Sequence, residues 1–216
     1  MSAERSRLGL LGGTFDPPHA GHLVAAQEAA WQLRLDRVLF LPARQNPLKQ
    51  GEPMSSAEHR RRMVELAIDD NPLFQLSTAD MDRPAPSYTV DLLRQLRQQL
   101  GPETELFFLA GADILPELPS WHRPAEILRL VAAIAVLSRP GWPPPDGAPV
   151  ADRLAAPRGR IVGLGMPGVD ISSSDLRRRV RLGQPIRYLT PPAVEAYVAE
   201  HGLYRGSSGR GSTGSP

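Results

Sequence analysis

The sequence predicts an α/β protein built on an open parallel sheet. Short apolar runs typical of buried strands alternate with longer stretches of helical periodicity along most of the chain. The first run, residues 8–11, stops at a Gly-Gly pair and leads through a proline turn into a helical pattern, which predicts a β-α-β unit. With 216 residues, 41% apolar and 22% charged, the chain can bury one substantial core.

The later elements continue this alternation in order. Strands are predicted at residues 38–41, 74–77, 106–109, 131–137 and 160–164, and helices at 20–34, 56–69, 89–100, 172–182 and 192–201. Polar or Pro/Gly-rich segments at 43–55 and 141–149 predict exposed loops. Residues 206–216 are rich in Gly and Ser and predict a disordered tail, so a single domain is expected over residues 1–205.

Composition narrows the class of protein. Zero cysteines exclude disulfides and thiolate catalysis. The formal charge is only +2, and the densest basic groups, at 60–62 and 177–181, are short and suit phosphate-bearing small molecules as well as nucleic acid. No apolar run approaches ~18 residues, and residues 1–7 lack the apolar centre of a signal peptide. We therefore expect a cytoplasmic protein without a nucleic-acid or membrane partner, and the sequence leaves open whether it forms a homo-oligomer.

The segment at residues 8–23, LGLLGGTFDPPHAGHL, predicts a phosphate site. Glycines let main-chain N–H groups approach a ligand closely, and the helix that follows adds unpaired donors and the positive end of its dipole. The residues expected to meet the phosphates are Gly12, Gly13, Thr14 and Phe15.

Two histidines sharpen this prediction. His19 and His22 lie three residues apart at the start of the predicted helix, with Gly21 leaving room between them, so both imidazoles can face one anion. They could donate hydrogen bonds and carry positive charge as a leaving group becomes negative. Metal ligation is a weaker alternative because no familiar zinc spacing is completed, and simple capping of the helix is a second alternative.

A second phosphate element is predicted near the end of the chain. Ser173, Ser174 and Arg177 lie at the start of a predicted helix, where hydroxyls, free N–H groups and a guanidinium can converge on one anion. A plain helix cap would explain one serine but not three serines and an arginine. Lys49, the only lysine, could close over a polyphosphate from its loop or remain solvated.

Further candidates follow other predicted strands. Gly111 and Asp113 come after the strand at 106–109, where Asp113 could accept from a ribose hydroxyl or cap a short helix. Arg139 follows the strand at 131–137 and is expected at the same sheet edge. Trp121, in a proline-flanked turn, could stack on a flat heteroaromatic ring, anchor the surface or fill the core.

The helix start at residues 86–89 could hold a carboxylate or phosphate on exposed N–H groups. Its candidate residues are Ser87, Tyr88 and Thr89. Capping by Ser87 or Thr89 is the alternative, and it is compatible with an anion site because both use the same helix end.

The motif GGTFDPPHAGHL resembles the signature of the HxGH nucleotidylyltransferases, and most closely that of bacterial nicotinate-nucleotide adenylyltransferases. Four further segments resemble that family in the same order: PSYT at 86–89, GAD followed by WHRPAEI at 111–127, ISSSDLR at 171–177, and the closing segment at 184–204. This resemblance implies a Rossmann-like doubly wound parallel sheet with a C-terminal helical part. One departure is Leu48, where the family often has histidine before the lysine.

The resemblance also implies a reaction, the transfer of an adenylyl group from ATP to nicotinate mononucleotide in NAD biosynthesis. It implies catalytic roles for His19, His22, Lys49 and Arg177, and ATP contacts at the glycine loop, Gly111, Asp113, Arg139, Ser173 and Ser174. Nicotinate mononucleotide is expected at Ser87, Tyr88, Thr89 and Trp121. No protein metal site is expected, and Mg²⁺ is expected to arrive with ATP.

Two other functions remain compatible with the sequence. One is a different transfer within the superfamily, to phosphopantetheine, through CTP, or to nicotinamide mononucleotide. The other is a non-catalytic nucleotide sensor or an RNA-binding module of the same fold. PSYT and Trp121 count against the first two transfers, and the intact histidines with ISSSDLR count against a non-catalytic role.

Overall fold

The computed structural model describes residues 6–44, 54–84, 86–138, 148–154 and 160–205. Its strands are β1 (Arg7–Gly13), β2 (Arg37–Pro42), β3 (Phe74–Leu76), β4 (Glu105–Gly111), β5 (Ala133–Ser138) and β6 (Ile161–Gly165). Its helices are α1 (Ala20–Gln32), α2 (Ala57–Ile68), α3 (Thr89–Leu100), α4 (Ile114–Glu117), α5 (Pro124–Leu130), α6 (Ala148–Arg153), α7 (Ser173–Arg181) and α8 (Pro192–Glu200). A short 3₁₀ helix, Leu118–Ser120, follows α4.

The six strands form one parallel sheet in the order β3-β2-β1-β4-β5-β6. Helices cover both faces, because two separate apolar clusters form on the two sides. One cluster includes Ala29 of α1, Met63 of α2 and Leu176 of α7. The other includes Leu93 of α3 and Ile127 of α5. This arrangement confirms the predicted doubly wound, Rossmann-like sheet with helices at the C-terminal end of the chain.

The strand order reverses direction between β1 and β4, which are neighbours in the sheet although they are far apart in the chain. In open α/β sheets the crevice outside the carboxyl ends of such a strand pair is where ligands bind. Here those ends are Gly13 on β1 and Gly111 on β4. The fold therefore places the two predicted glycine segments on opposite sides of one crevice.

Most predicted bounds are correct to within two residues, and α3 begins and ends where the periodicity predicts. The first strand is longer than expected because Gly12 and Gly13 continue it, pairing with Leu41 and Pro42 of β2. Residues 148–149, predicted as loop, are the first turn of α6. Ser56 caps α2 by accepting from the N–H of His59 at 3.2 Å. Within the described ranges, no helix is long and apolar enough to cross a membrane.

Candidate functional site

His19 and His22 lie together at the start of α1, directly beyond the carboxyl end of β1. Their rings stack with centroids 3.7 Å apart, and the ring of Phe15 meets His22 edge-on at 4.9 Å. His19 is the N-cap residue in extended conformation, and only 7% of it is exposed. The structure thus brings both imidazoles to one place at the mouth of the crevice.

The hydrogen bond between these residues fixes which nitrogen of His22 carries the proton. The main-chain N–H of His19 donates to Nδ1 of His22 at 3.2 Å, so Nδ1 is an acceptor. Burial, and after it the charge of the neighbouring His19, lower the pKa of His22 well below its usual 6.5. His22 is therefore a neutral imidazole at pH 7 with its proton on Nε2. His22 is thus both a helix cap, through Nδ1, and an Nε2–H donor, while the positive charge expected of the pair as a leaving group becomes negative stays a prediction.

Gly21 is required by the position of the His19 ring. A Cβ at Gly21 would lie 3.1 Å from Nδ1 of His19, so a larger residue would push the ring away. Gly12 has a different environment, since a Cβ there would meet no atom within 4 Å and would project into open space. Phe15 takes a left-handed conformation (φ 51°) and its ring is buried below His22, so a nucleotide can reach only its main chain.

The loop before His19 is held by the last third of the chain. Three consecutive carbonyls each accept a hydrogen bond: Asp16 from Arg177 Nη1 at 2.8 Å, Pro17 from Ser173 Oγ at 2.8 Å, and Pro18 from Thr190 Oγ1 at 2.7 Å. Two of these residues are prolines, which have no N–H to offer, so their carbonyls are the polar groups that must be matched. The two predicted phosphate elements are therefore joined directly.

Each serine of the ISSSDLR segment has a separate partner within the protein. Ser172 caps α7 by accepting from the N–H of Asp175 at 3.1 Å, whereas Ser173 donates to the loop. Ser174 accepts from Nη2 of Arg177 at 3.2 Å. The Ser173 hydroxyl donates its proton to the loop, so it is not available as a donor to an anion. Ser172 and Ser174 accept in these bonds and keep their O–H groups, so the convergence of Ser174, Arg177 and the first-turn N–H groups of α7 on one anion stays a prediction.

Arg60 is the principal residue that the sequence did not single out. It is 1% exposed, and its guanidinium donates to four carbonyls, those of Thr14 (3.1 Å), Ala43 (2.5 Å), Arg44 (3.1 Å) and Ser55 (3.3 Å). These carbonyls belong to the segments that follow β1 and β2 and precede α2. Arg60 therefore fixes the walls of the site and, contrary to the expectation for the 60–62 group, is not available to a phosphate.

Across the crevice, Gly111 ends β4 and Asp113 precedes α4. The carboxylate of Asp113 lies over Gly111, where an added Cβ would be 2.5 Å from Oδ1. Asp113 is exposed and its side chain makes no capping bond to α4. Of the two predicted roles, capping is therefore wrong, and acceptance from a ribose hydroxyl remains the prediction.

The predicted acceptor segments also come together. The rings of Tyr88 and His122 lie 4.5 Å apart, so the start of α3 lies against the turn that carries Trp121. The Ser87 hydroxyl is buried and donates to Asp80, which leaves its main chain for a ligand. Neither Ser87 nor Thr89 caps α3, whose N-cap is Tyr88 without a side-chain capping bond.

Trp121 is half-buried and packs edge-on against Phe108 at 6.0 Å. Its Nε1 is buried and has no hydrogen-bond partner in the described part of the chain. The indole is thus partly core filler, with a portion of its surface left open beside His122. His122 is exposed, and its ring lies beside that of Tyr88 in this aromatic group.

Comparison with known proteins identifies the family. A family model described as cytidylyltransferase-like matches residues 10–179. The probable nicotinate-nucleotide adenylyltransferase of Thermomicrobium roseum is 48% identical over 93% of this chain and 92% of its own length. That of a Roseiflexus species is 50% identical over 92% and 98%, respectively. The chain belongs to the nicotinate-nucleotide adenylyltransferases.

Solved structures show the same fold. The nicotinic acid mononucleotide adenylyltransferase of Plasmodium falciparum, complexed with NaAD, superposes with a TM-score of 0.74 at 18% identity, covering 92% of this chain and 97% of that one. The same Plasmodium protein complexed with APC gives a TM-score of 0.72. At this identity the likeness establishes the fold, and the membership of the family makes the protein a nucleotidyltransferase.

Some expected residues of this adenylyltransferase lie outside the described ranges. These are Lys49 and its neighbour Leu48, Arg139, and the tail at 206–216. An open cleft of about 480 Å³ is lined by Met54, Ser55, Ser174, Arg177, Arg181, Tyr204 and Arg205. Within the same described ranges, no group of three or more His, Asp or Glu side chains is placed to hold a metal ion.

Proposed function

We propose that this enzyme transfers the adenylyl group of ATP to nicotinate mononucleotide, forming nicotinate adenine dinucleotide and releasing pyrophosphate. The observation that carries the proposal is the near-complete overlap with relatives of that name at 48–50% identity. The paired imidazoles at the strand-reversal crevice supply the chemistry that such a transfer needs. The reaction is a step of NAD biosynthesis.

In the proposed reaction, a 5′-phosphate oxygen of nicotinate mononucleotide attacks the α-phosphorus of ATP. A new P–O bond forms there as the bond from the α-phosphorus to the β-bridging oxygen breaks, and pyrophosphate leaves with that electron pair. No proton has to be removed from the attacking phosphate, and no covalent enzyme intermediate is needed. The protein therefore acts by alignment and by stabilising the charge that develops on the leaving group.

His22 supplies one part of that stabilisation. Its neutral ring donates from Nε2, and because Nδ1 is held by the His19 N–H, the direction of the donor is set before ATP binds. Two protonated rings stacked at 3.7 Å would repel each other, so we assign the pair at most one positive charge. Fixed positive charge is assigned instead to Arg177, with Lys49 as a second source.

The remaining contacts are proposed from position. ATP is placed over Gly12 and Gly13, of which Gly12 faces open space, with its ribose near Asp113. Nicotinate mononucleotide is placed between the start of α3 and Trp121, where main-chain N–H groups can receive its carboxylate and the indole can contact its ring. Mg²⁺ is proposed to enter as part of the ATP complex, held by phosphate oxygens and water, since such sites use few protein ligands.

The decisive experiment is a pyrophosphate-release assay on the purified full chain. ATP and CTP are compared as donors, and nicotinate mononucleotide, nicotinamide mononucleotide and phosphopantetheine as acceptors. We expect the highest kcat/KM with ATP and nicotinate mononucleotide, with a dinucleotide product detected by mass. A higher kcat/KM for another acceptor would replace the proposed substrate, and no turnover with any pair would refute a catalytic function.

A further inference from the structure

Asp16 lies in the loop between β1 and α1, and its carboxylate is buried. Only 1% of the residue is exposed. One carboxylate oxygen, Oδ1, accepts from the Tyr204 hydroxyl at 2.5 Å, and the other, Oδ2, accepts from the main-chain N–H of Ser55 at 3.1 Å. A carboxylate removed from water needs such partners, and short hydrogen bonds to a charged oxygen are among the stronger ones in proteins.

Tyr204 reaches Asp16 from beyond the end of α8. The chain reverses there, with Leu203 N–H donating to Val198 O at 3.0 Å and Tyr204 itself in the left-handed region at φ 63°. This conformation is uncommon for a residue other than glycine, so its tertiary contacts must hold it. Burial, and then the charge of Asp16, raise the pKa of Tyr204 far above its usual value, which keeps its hydroxyl protonated as the donor.

Asp16 is connected to both halves of the proposed phosphate site. It precedes His19 by three residues, and its main-chain carbonyl accepts from Arg177 at 2.8 Å. A rotation of Asp16 would therefore move the start of α1 and release one donor of Arg177 at the same time. The Ser55 bond adds a third connection, to the segment that leads into α2.

We infer that Tyr204 is a positioning residue for the adenylyl transfer, acting through the Asp16 carboxylate on His19 and Arg177. The inference depends on the proposed function. The inference adds a residue to the proposed mechanism that does not contact the reacting atoms, because the Tyr204 hydroxyl is directed to Asp16. A loop displaced by about 1 Å can reduce a rate on the order of 10²-fold, and Tyr204 is one of several ties on this loop. We expect Tyr204→Phe to lower kcat about 10-fold and to change either KM less than about twofold.

The matched control is Tyr197→Phe. Like Tyr204→Phe, this change removes one tyrosine hydroxyl and retains the ring. The contact that it removes joins α8 to α2, since the Tyr197 hydroxyl lies 2.9 Å from Nδ1 of His59. We expect its kcat to be unchanged. Both variants are compared with the wild type by steady-state kinetics, at a temperature well below the lowest melting temperature of the set.

Asp16→Ala provides the second measurement, because an effect transmitted through the Asp16 carboxylate should vanish when that group is absent. In the Asp16→Ala background, Tyr204→Phe should lower kcat less than about twofold further. The inference would be overturned if Tyr204→Phe lowered kcat by a further 10-fold in the double variant, or if Tyr204→Phe alone left kcat unchanged. It would also be overturned if Tyr197→Phe lowered kcat as much as Tyr204→Phe does, or if Tyr204→Phe did not fold. The wild-type acceptor assay tests the proposed function separately, and the variants are compared on whichever acceptor it uses.

Discussion

The two nitrogens of His22 have separate roles, and two substitutions can distinguish them. Nδ1 accepts from the His19 N–H and caps α1, whereas Nε2 is the proposed donor to the leaving pyrophosphate. His22→Asn places an amide oxygen near the position of Nδ1 and leaves nothing at Nε2. His22→Ala removes both groups.

The expected magnitudes differ between rate and stability. Loss of one preorganised donor costs roughly 10²- to 10³-fold in kcat, so both variants should fall by that factor. Loss of a helix cap costs about 1 kcal/mol, or roughly 2–4 °C in the melting temperature of a domain this size, and only His22→Ala should show it.

Steady-state kinetics and thermal melting on the same preparations test these values. Near-normal kcat in His22→Asn would mean that capping is the whole role of His22, and equal melting temperatures in the two variants would mean that the Nδ1 bond does not stabilise α1. His19→Ala should also lower kcat, and its combination with His22→Ala should lose less than the product of the two factors, because both act on one anion.

Three further predictions concern other residues. Arg60→Met should lower the free energy of unfolding in urea by about 3–5 kcal/mol, because the buried carbonyls lose their donor. The control Arg62→Met, which removes an exposed ion pair with Glu65, should lower it by less than about 1 kcal/mol, and equal losses would contradict the structural role of Arg60. Trp121→Ala should raise the KM for nicotinate mononucleotide far more than the KM for ATP. The control Trp31→Ala, which changes a side chain that is 80% exposed, should leave both KM values unchanged, and a parallel rise of both in Trp121→Ala would mean that Trp121 is structural. Because the pKa of His22 is lowered in the folded protein, the unfolded chain binds a proton at this residue more readily below pH 6.5, and the free energy of unfolding should fall there by at most about 1.4 kcal/mol per pH unit while the contribution of His22 is fully present above that pH. His22→Asn should therefore show a smaller fall in melting temperature than the wild type between pH 7 and pH 5, and an equal fall would argue against the lowered pKa.

Local patterns in the sequence were sufficient for the elements and for the first loop. The apolar stripe of α3 and the buried runs of β1 and β4 are strong periodic signals, and their bounds differ little from the structure. The two histidines of HxGH are close in sequence and on one helical turn, so their proximity follows from helix geometry alone. These features depend on neighbours within a few residues, which a sequence displays directly.

Features that depend on distant partners could not be read in the same way. Arg60 lies in an arginine run with helical spacing, and nothing local distinguishes a buried guanidinium that satisfies four loop carbonyls from a solvated one. The hydroxyl of Ser173 is predicted to meet a phosphate, but it donates to the Pro17 carbonyl, and no local pattern reveals this partner because it lies 156 residues away in the chain. The continuation of β1 through Gly12 and Gly13 likewise depends on the ladder with β2, which outweighs the low strand propensity of glycine.

The hydrogen bonds to the loop before His19 have a consequence for the order in which the protein folds during its synthesis on the ribosome. They join residues 156, 161, 172 and 188 positions apart, through Ser173, Arg177, Thr190 and Tyr204. Strands β1 to β4 can pair as soon as they have emerged, since their ladders need only the chain up to Gly111. The bond from Tyr204 to the loop before His19 can form only when Tyr204 has left the exit tunnel. A nascent chain shorter than this should therefore contain most of the sheet but an incompletely held loop.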